Sequence, residues 1–233
     1  MDNILFVIPA RSGSKGIKDK NIRYCANETL LRRSVQICKS LDLPSDIYVS
    51  TDSQLYLDHI KDLIDNSPIL RPDYLSGDLI GDIEVLTHAF YSCETFYKKN
   101  YKCIVMVQPT CPLRKKEHLV QSINAILLEN YDSAVTCQKV DKKYHPLKSL
   151  TLNESNKLTH FLDNKDEIIA RQQLKETFIR NGASYAITPK QLCEDKTFFK
   201  GNVKLILTGQ LLSIDTIEEL ELCEKILIQN NNK

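Results

Sequence analysis

Short apolar runs of β type alternate with helical patterns along most of this 233-residue chain. The expected strands are NILFVIP (3–9), DIYVST (46–51), CIVMVQ (103–108) and SAVTCQKV (133–140). The expected helices are TLLRRSVQICKSL (29–41), SQLYLDHIKDLI (53–64, capped by Ser53), DIEVLTHAFYSCETFYKK (82–99) and EHLVQSINAILLE (117–129). This order favours an α/β fold, in which helices cover both faces of a mostly parallel sheet with right-handed crossovers.

A segment from about 141 to 178 interrupts this alternation. It has short β runs and polar turns, and NESN at 153–156 has the composition of a hairpin turn. The α/β pattern resumes with GASYAIT (182–188), KLILT (204–208) and a closing helix, TIEELELCEKILIQ (216–229). Because no repeat or linker divides the chain, the sequence predicts a single domain over 1–233, with an insertion that forms a small flap or dimerisation arm.

Composition narrows the class of partner. The 31 Lys and Arg residues balance 30 Asp and Glu residues, so no global field favours nucleic acid or an acidic membrane. The first residues lack the features of a signal peptide, and no apolar stretch has the length of a membrane span. The eight cysteines show neither CxxC pairing nor Cys/His zinc spacing. We therefore expect a cytoplasmic protein with reduced core thiols that binds neither nucleic acid nor membranes.

The loop after the first expected strand, ARSGSKGIKDKN at 10–21, combines glycines with cations. Gly13 and Gly16 permit a close approach of backbone N–H groups to a ligand, since they lack a Cβ. Arg11 and Lys15 supply charge-assisted hydrogen bonds to phosphate oxygens. A solvated turn explains the charges but not the glycines, and the loop alone leaves the two interpretations about equally supported.

Other polar segments favour a phosphate site over a solvated turn. STD (50–52), QPTCPLR (108–114) and SIDT (213–216) each follow an expected strand. Ligands of open parallel sheets bind in the crevice outside the carboxyl ends of the strands, where these segments converge. The chain lacks both G-x-x-x-x-G-K-[ST] and G-x-G-x-x-G, so the predicted site is neither a Walker P-loop nor a dinucleotide fingerprint.

The opening motif IPARSGSKGIKDKN resembles that of the bacterial CMP-sialic acid synthetases, the acylneuraminate cytidylyltransferases. The likeness continues in family order over nearly the whole chain, through VSTD, RPDYLSGD, HAF, QPTCPLR, HPLK, RQQL, RNGASYAI, FF and SIDTIEELELCEKIL. The resemblance implies a Rossmann-like nucleotidyltransferase that uses CTP and Mg²⁺. It joins CMP to a nine-carbon α-keto sugar acid and releases pyrophosphate. It also implies a homodimer, in which the insertion completes the partner subunit's site.

The resemblance assigns roles by position. For the nucleotide and its triphosphate it implies Arg11, Ser14, Lys15, Lys20, Asn21, Arg71 and Asp82, of which Arg11, Lys15 and Lys20 are the catalytic cations. For the sugar it implies Gln108, Lys148, Arg171, Tyr185, Phe198 and Phe199, with Lys148 and Arg171 reaching across the dimer. For the metal it implies Asp215. These types suit attack of an anomeric hydroxyl on the α-phosphorus, because positioning and charge neutralisation dominate such catalysis.

Three positions depart from the family pattern. Ser213 replaces the first aspartate of D-I-D-T, Asp82 replaces a serine that contacts cytidine in relatives, and Lys175 replaces a proline. The substrate therefore stays open among sialic, legionaminic and pseudaminic acids, with 3-deoxy-octulosonic acid more distant. A second hypothesis is a catalytically weak homologue that acts as a binding subunit. The intact cationic loop and Asp215 favour an active enzyme.

Overall fold

A six-stranded sheet organises residues 3–64, 70–162, 172 and 174–231, which the structure, a computed structural model, describes. In chain order the strands are β1 (Asn3–Pro9), β2 (Tyr24–Cys25), β3 (Glu28–Thr29), β4 (Ser45–Ser50), β5 (Tyr101–Met106), β6 (Ser133–Lys139), β7 (Leu150–Leu152), β8 (Leu158–His160), β9 (Phe178–Ile187) and β10 (Val203–Leu207). The order across the large sheet is β10-β6-β9-β5-β1-β4. β2 pairs with β3, and β7 pairs with β8.

Five α-helices accompany these strands in the described part of the chain. They are α1 (Leu30–Lys39), α2 (Gln54–Asp58), α3 (Asp82–Tyr97), α4 (Lys116–Leu127) and α5 (Ile217–Asn231). Short 3₁₀ turns cover Lys20–Ile22, Asp73–Leu75, Lys142–Tyr144 and Pro146–Lys148, and a π-helical turn covers Gln191–Asp195. The predicted α/β class is confirmed, and α1, α3 and α4 lie where the sequence patterns place them.

β1 is buried on both faces, and its side chains point alternately to the helices on one face and on the other. Ile4, Phe6 and Ile8 pack in one core cluster that includes residues of α1 and α4. Leu5 and Val7 point to the other face, into a cluster that includes residues of α3. The near-continuous apolar run of β1 is what a central strand of a parallel sheet requires. Helices therefore cover both faces, as predicted.

The segment that resumes the pattern differs in direction from its neighbours. β9 pairs antiparallel with both β5 and β6, whereas β1 runs parallel to β4 and β5, and β10 runs parallel to β6. β9 follows the insertion and not a helical crossover, so nothing forces it to enter the sheet from the same edge as the others. Its amino-terminal part thus lies at the edge where the carboxyl ends of the parallel strands lie.

The helix expected over 53–64 is shorter than predicted. α2 ends at Asp58, and the Ile60 and Leu63 N–H groups donate to carbonyls three residues back. Arg32 of α1 donates to the His59 carbonyl at 2.9 Å, which takes that acceptor for a tertiary contact. Ser53 occupies the cap position, but its side chain accepts no capping hydrogen bond. That part of the prediction is wrong.

The expected hairpin is present in the insertion. β7 and β8 pair antiparallel around the NESN turn, with Leu152 opposite Leu158 and Leu150 opposite His160. Leu150, Leu152 and Leu158 share one face and are all exposed. The interpretation of the insertion as a dimerisation arm stays a prediction.

The cysteines have free thiols, and seven of the eight are buried. Cys38 and Cys103 fill core positions of small hydrophobes, as expected. Among the described residues, no helix is long and apolar enough to span a bilayer.

Candidate active site

A cavity of about 530 Å³ opens at the carboxyl ends of the parallel strands. The loop after β1, the segment before α3, the start of the 108–114 loop and the 213–215 segment form its walls. Nine of the residues assigned from sequence line it: Arg11, Ser14, Lys15, Lys20, Asn21, Arg71, Asp82, Gln108 and Asp215. The structure therefore brings together groups that are more than 200 residues apart in the chain.

The loop after β1 is held by side chains as well as by its own backbone. Asp52, just beyond β4, accepts hydrogen bonds from the Ser12 N–H at 2.8 Å and the Ser12 hydroxyl at 2.9 Å. The buried Asn21 donates from Nδ2 to the Arg11 carbonyl at 3.1 Å. These bonds fix the loop without using the charged ends of Arg11 or Lys15.

Gly16 brings the loop against the segment that carries Asp215. A Cβ at position 16 would lie 2.3 Å from the Asp215 carbonyl oxygen, so only glycine permits this approach. Behind the contact, Ile17 packs in a small buried cluster with Ile214 and Cys223. The phosphate-loop candidate and the metal-ligand candidate thus form one packed unit.

Each of the three assigned catalytic cations meets a carboxylate. Arg11 Nη1 lies 2.7 Å from Asp78 Oδ1, and Lys15 forms an ion pair with the other oxygen of Asp78. Lys20 Nζ donates to Asp215 Oδ1 at 2.8 Å and to the Ile214 carbonyl at 2.9 Å. Lys15 and Arg11 together hold the pKa of Asp78 below its usual range. The Asp78 carboxylate is therefore charged near neutral pH.

Arg71 is a buried cation on the same wall. Its Nε donates to the Ser50 hydroxyl at 3.0 Å, and its Nη2 donates to the Ser50 carbonyl at 2.6 Å. Burial lowers the pKa of Arg71, with the Asp52 carboxylate opposing that shift. Because these hydrogen-bond partners are neutral, the guanidinium leaves positive potential in the cavity.

Two smaller cavities adjoin the first, with volumes of about 270 and 340 Å³. Gln108 and Tyr185 line the first of them, and Phe198 and Phe199 line the second. Asp82 lines all three cavities and so stands where they meet. Burial raises the pKa of the Asp82 carboxyl, and Arg180 opposes the shift.

A bulge in β9 shapes the wall of the smaller cavity that Gln108 and Tyr185 line. Gly182, at φ +70°, donates its N–H to the Tyr185 hydroxyl at 2.8 Å, and a Cβ there would collide with the Gln108 side chain. The Tyr185 ring meets Phe198 edge to face, with centroids 5.7 Å apart, and burial raises the pKa of Tyr185 to about 12. Tyr185 is therefore a neutral hydroxyl within an aromatic wall.

Two assigned residues are not part of this arrangement. Lys148 is exposed at the end of a 3₁₀ turn in the insertion and, within the described part of the chain, does not line any of the three cavities. Arg171 lies outside the described residues. Their assignment to the partner subunit's site stays a prediction.

Sequence reasoning missed three charged residues. Asp78 is the last residue of the RPDYLSGD motif, and it pairs with Arg11 and Lys15 of the loop after β1. Arg180 lines both smaller cavities and lies over the Phe199 ring at 5.6 Å. The buried Arg114 donates to the Ser34 hydroxyl at 2.9 Å and to the Gln108 carbonyl. Arg114 ends the QPTCPLR segment, but a sequence does not reveal that the loop folds back onto its own arginine.

The fold and the position of the cavity are typical of α/β proteins that bind nucleotides. A mostly parallel, Rossmann-like sheet carries a cationic glycine-containing loop after β1, and the cavity lies at the edge where nucleotides bind. A solved structure with the same fold is CMP:2-keto-3-deoxy-manno-octonic acid synthetase complexed with CTP, with a TM-score of 0.70. The two are 14% identical, and the match covers 98% of this chain and 100% of the other.

The chain belongs to the cytidylyltransferase family, whose sequence profile matches residues 5–231. It is 28% identical over 211 residues to an N-acylneuraminate cytidylyltransferase of Streptococcus agalactiae, which covers 90% of this chain and 49% of that protein. It is also 28% identical to a CMP-N,N'-diacetyllegionaminic acid synthase of Legionella pneumophila, over 97% of both chains. The chain thus spans about half of the streptococcal relative and nearly all of the Legionella one.

The contact at Gly16 generates a test. We expect Gly16→Ala to lower the free energy of unfolding by about 1–3 kcal/mol, because the added methyl group forces the loop away from the Asp215 backbone. Gly13→Ala is the matched control: apart from its chain neighbours, no heavy atom in the described part of the chain lies within 4 Å of its added Cβ, so we expect a change within about 0.5 kcal/mol. Urea denaturation measures both. Equal losses in the two variants would contradict the close approach.

Proposed function

We propose that this chain transfers CMP from CTP to a nonulosonic, sialic-type acid and releases pyrophosphate. The observation that carries the proposal is the arrangement of the three cavities. A cation-lined cavity suited to a triphosphate adjoins two cavities with aromatic and polar walls, and Asp82 stands at their junction. The family match and the relatives from Streptococcus and Legionella support the same reaction.

Positioning and neutralisation of charge are the chain's contributions to such a transfer. Arg11 and Lys15 bind phosphate oxygens and hold the negative charge that grows as pyrophosphate departs. Lys20 and Asn21 line the same cavity, and Asn21 keeps the loop in shape through the Arg11 carbonyl. Gln108 and Tyr185 orient the acceptor, while the exposed Phe199 and the buried Phe198 offer apolar surface to an acyl methyl group.

Mg²⁺ fits the donors that the cavity offers. Among the described residues, no group of three or more His, Cys, Asp or Glu side chains could hold a metal ion, so a closed protein cage is not built there. The exposed Asp215 and the nearby Ser213 both line the main cavity. One carboxylate with substrate phosphates suits Mg²⁺, which keeps several waters. When bound, the ion would neutralise triphosphate charge, and Asp215 would hold it.

A homodimer belongs to the proposal, with the insertion as its arm. The exposed leucines on one face of the β7–β8 hairpin, followed by the exposed Phe161, are apolar surface of the kind that a subunit interface covers. Lys148 and Arg171 would then reach the partner's sugar site from this insertion. We also propose a cytoplasmic location, without binding to nucleic acid or membranes.

The acceptor separates the remaining alternatives. Legionaminic, pseudaminic and 3-deoxy-octulosonic acids differ from sialic acid in their substituents, which the proposal assigns to the smaller cavities, and a weak homologue would bind without turnover. The relatives support both sialic and legionaminic acceptors.

We expect CTP to be consumed in preference to ATP, GTP and UTP, with release of pyrophosphate, when one of these four acids is supplied. Lys15→Ala should lower the turnover number on the order of 100-fold, because a cation that meets developing charge is lost. Lys18→Ala is the matched control, since this exposed lysine of the same loop does not line the cavity among the described residues. Turnover of all four nucleotides at one rate, or of none with any acid, would contradict the proposal.

The metal proposal has its own test. Asp215→Asn should nearly abolish turnover, while Ser213→Asp should lower the Mg²⁺ concentration for half-maximal rate by about tenfold, because a carboxylate is restored. The measurement is a Mg²⁺ titration of turnover at saturating CTP and acid. Glu221→Gln, an exposed carboxylate one turn along α5, is the control. A fully active Asp215→Asn would remove the metal from this segment.

The hairpin tests the dimer. Leu152→Asp with Leu158→Asp should convert the dimer into monomers, because two charges would be buried on the apolar face of an interface. Turnover should fall with dissociation if each site needs the partner's insertion. Sedimentation velocity and turnover at several protein concentrations measure both effects, and Leu128→Asp, at an exposed leucine after α4, is the control. Fully active monomers would contradict shared sites.

A further inference from the structure

Two cations assigned to the triphosphate already hold a carboxylate of this chain. Asp78 Oδ1 lies 2.7 Å from Arg11 Nη1, and Asp78 Oδ2 pairs with Lys15 Nζ. The two oxygens of one carboxylate thus bridge two cations, as two oxygens of one phosphate group would. Asp78 occupies the position that the proposed ligand needs.

Asp78 belongs to a short segment that faces the loop across the cavity. The segment follows the 3₁₀ turn Asp73–Leu75 and precedes α3. Arg11 Nη1 also reaches the Ser76 carbonyl, and Arg71 Nη1 reaches the Leu75 carbonyl, both at 3.5 Å. The hydrogen bond from Arg11 to Ser76 is long, so Asp78 provides the closer contact between the segment and Arg11.

The two ion pairs are weak enough to be exchanged. Lys15 is 78% exposed, Asp78 is 40% exposed and Arg11 is 31% exposed, so water screens both pairs. Exposed ion pairs contribute little to stability, whereas a polyphosphate brings several charged oxygens to the same cations. The neighbouring cations keep the pKa of Asp78 low, so the carboxylate stays charged and competes near neutral pH.

We propose that Asp78 is an internal competitor for the phosphate site, which occupies Arg11 and Lys15 until a polyphosphate displaces it. It lowers the affinity of the loop for every phosphate ligand. The same cost falls on each of them, so pyrophosphate and inorganic phosphate, which have no nucleoside contacts, keep the lowest affinity. Because Asp78 returns to the two cations when the ligand dissociates, it helps pyrophosphate to leave. The inference rests on the proposed function only in that the loop binds phosphates.

Calorimetric titration with inorganic pyrophosphate, in chelator and at low salt, tests the proposal without metal or turnover. Asp78→Asn should bind pyrophosphate about three- to tenfold more tightly than the wild type, because two exposed ion pairs no longer have to break. Asp73→Asn removes the same charge from an exposed site in the 3₁₀ turn before the segment, and the affinity of this variant should change by less than about twofold. The difference between Asp78→Asn and wild type should shrink as salt is raised.

A double variant separates competition from a general effect of charge. In a Lys15→Ala background, Asp78→Asn should give a smaller gain, since one of the two displaced pairs is already absent. Denaturation midpoints for each variant establish that the folded protein is being titrated. Equal gains in both backgrounds would overturn the proposal.

The remaining outcomes distinguish this proposal from the proposed function. If Lys15→Ala weakens pyrophosphate binding but Asp78→Asn binds as the wild type does, or more weakly, Asp78 is not a competitor and the loop is still a phosphate site. If neither change alters binding, or no variant binds pyrophosphate, the loop is not the phosphate site, and both proposals fail there.

Discussion

The burial of β1 on both faces is the constraint on which the rest depends. Its side chains alternate between two core clusters, so the strand cannot slip by one residue without exchanging every contact. With β1 fixed, β4 and β5 pair on either side in parallel register, and the chain leaves all three strands at one edge. The loop that follows β1 is therefore delivered to that edge, whatever its own sequence prefers.

Buried arginines then set the shape of the edge. Arg71 ties the end of β4 to the segment before α3, and Arg114 ties the Gln108 carbonyl to α1 through Ser34. Burial lowers the pKa of both guanidiniums, which reflects a desolvation cost that their hydrogen bonds offset. Replacing either by an apolar residue would remove a hydrogen-bond donor from the Ser50 or the Gln108 carbonyl, so Arg71 and Arg114 are structural cations, although Arg71 also lines the cavity.

The sequence predicts the fold well, and most residues that it assigns to the nucleotide line the main cavity, because apolar periodicity and glycine placement act locally. α1, α3 and the NESN hairpin follow from their own residues. The direction of β9 does not, because alternation is the same in either direction and the insertion before it removes the helical crossover. α2 is shorter than the pattern at 53–64 predicts, because Arg32, from another element, binds a carbonyl that a longer helix would use. The roles of Asp78 and Arg180 do not follow from the sequence, because their partners are distant along the chain and ion pairs leave no periodic pattern in it.

The reversed strand β9 separates, along the sequence, the residues that line the main cavity from most of those that line the smaller cavities. The residues assigned to the nucleotide loop and its wall lie between 11 and 82, apart from Asp215, whereas the described walls of the smaller cavities come largely from 179–199. Because β9 runs against its neighbours, this later stretch enters the cavity edge directly from the insertion. Under the proposed function, recombination that exchanged the stretch from the insertion through residue 199 would replace the acceptor half and leave the donor half intact. Such a layout allows the acceptor repertoire to diversify by exchange of one gene segment.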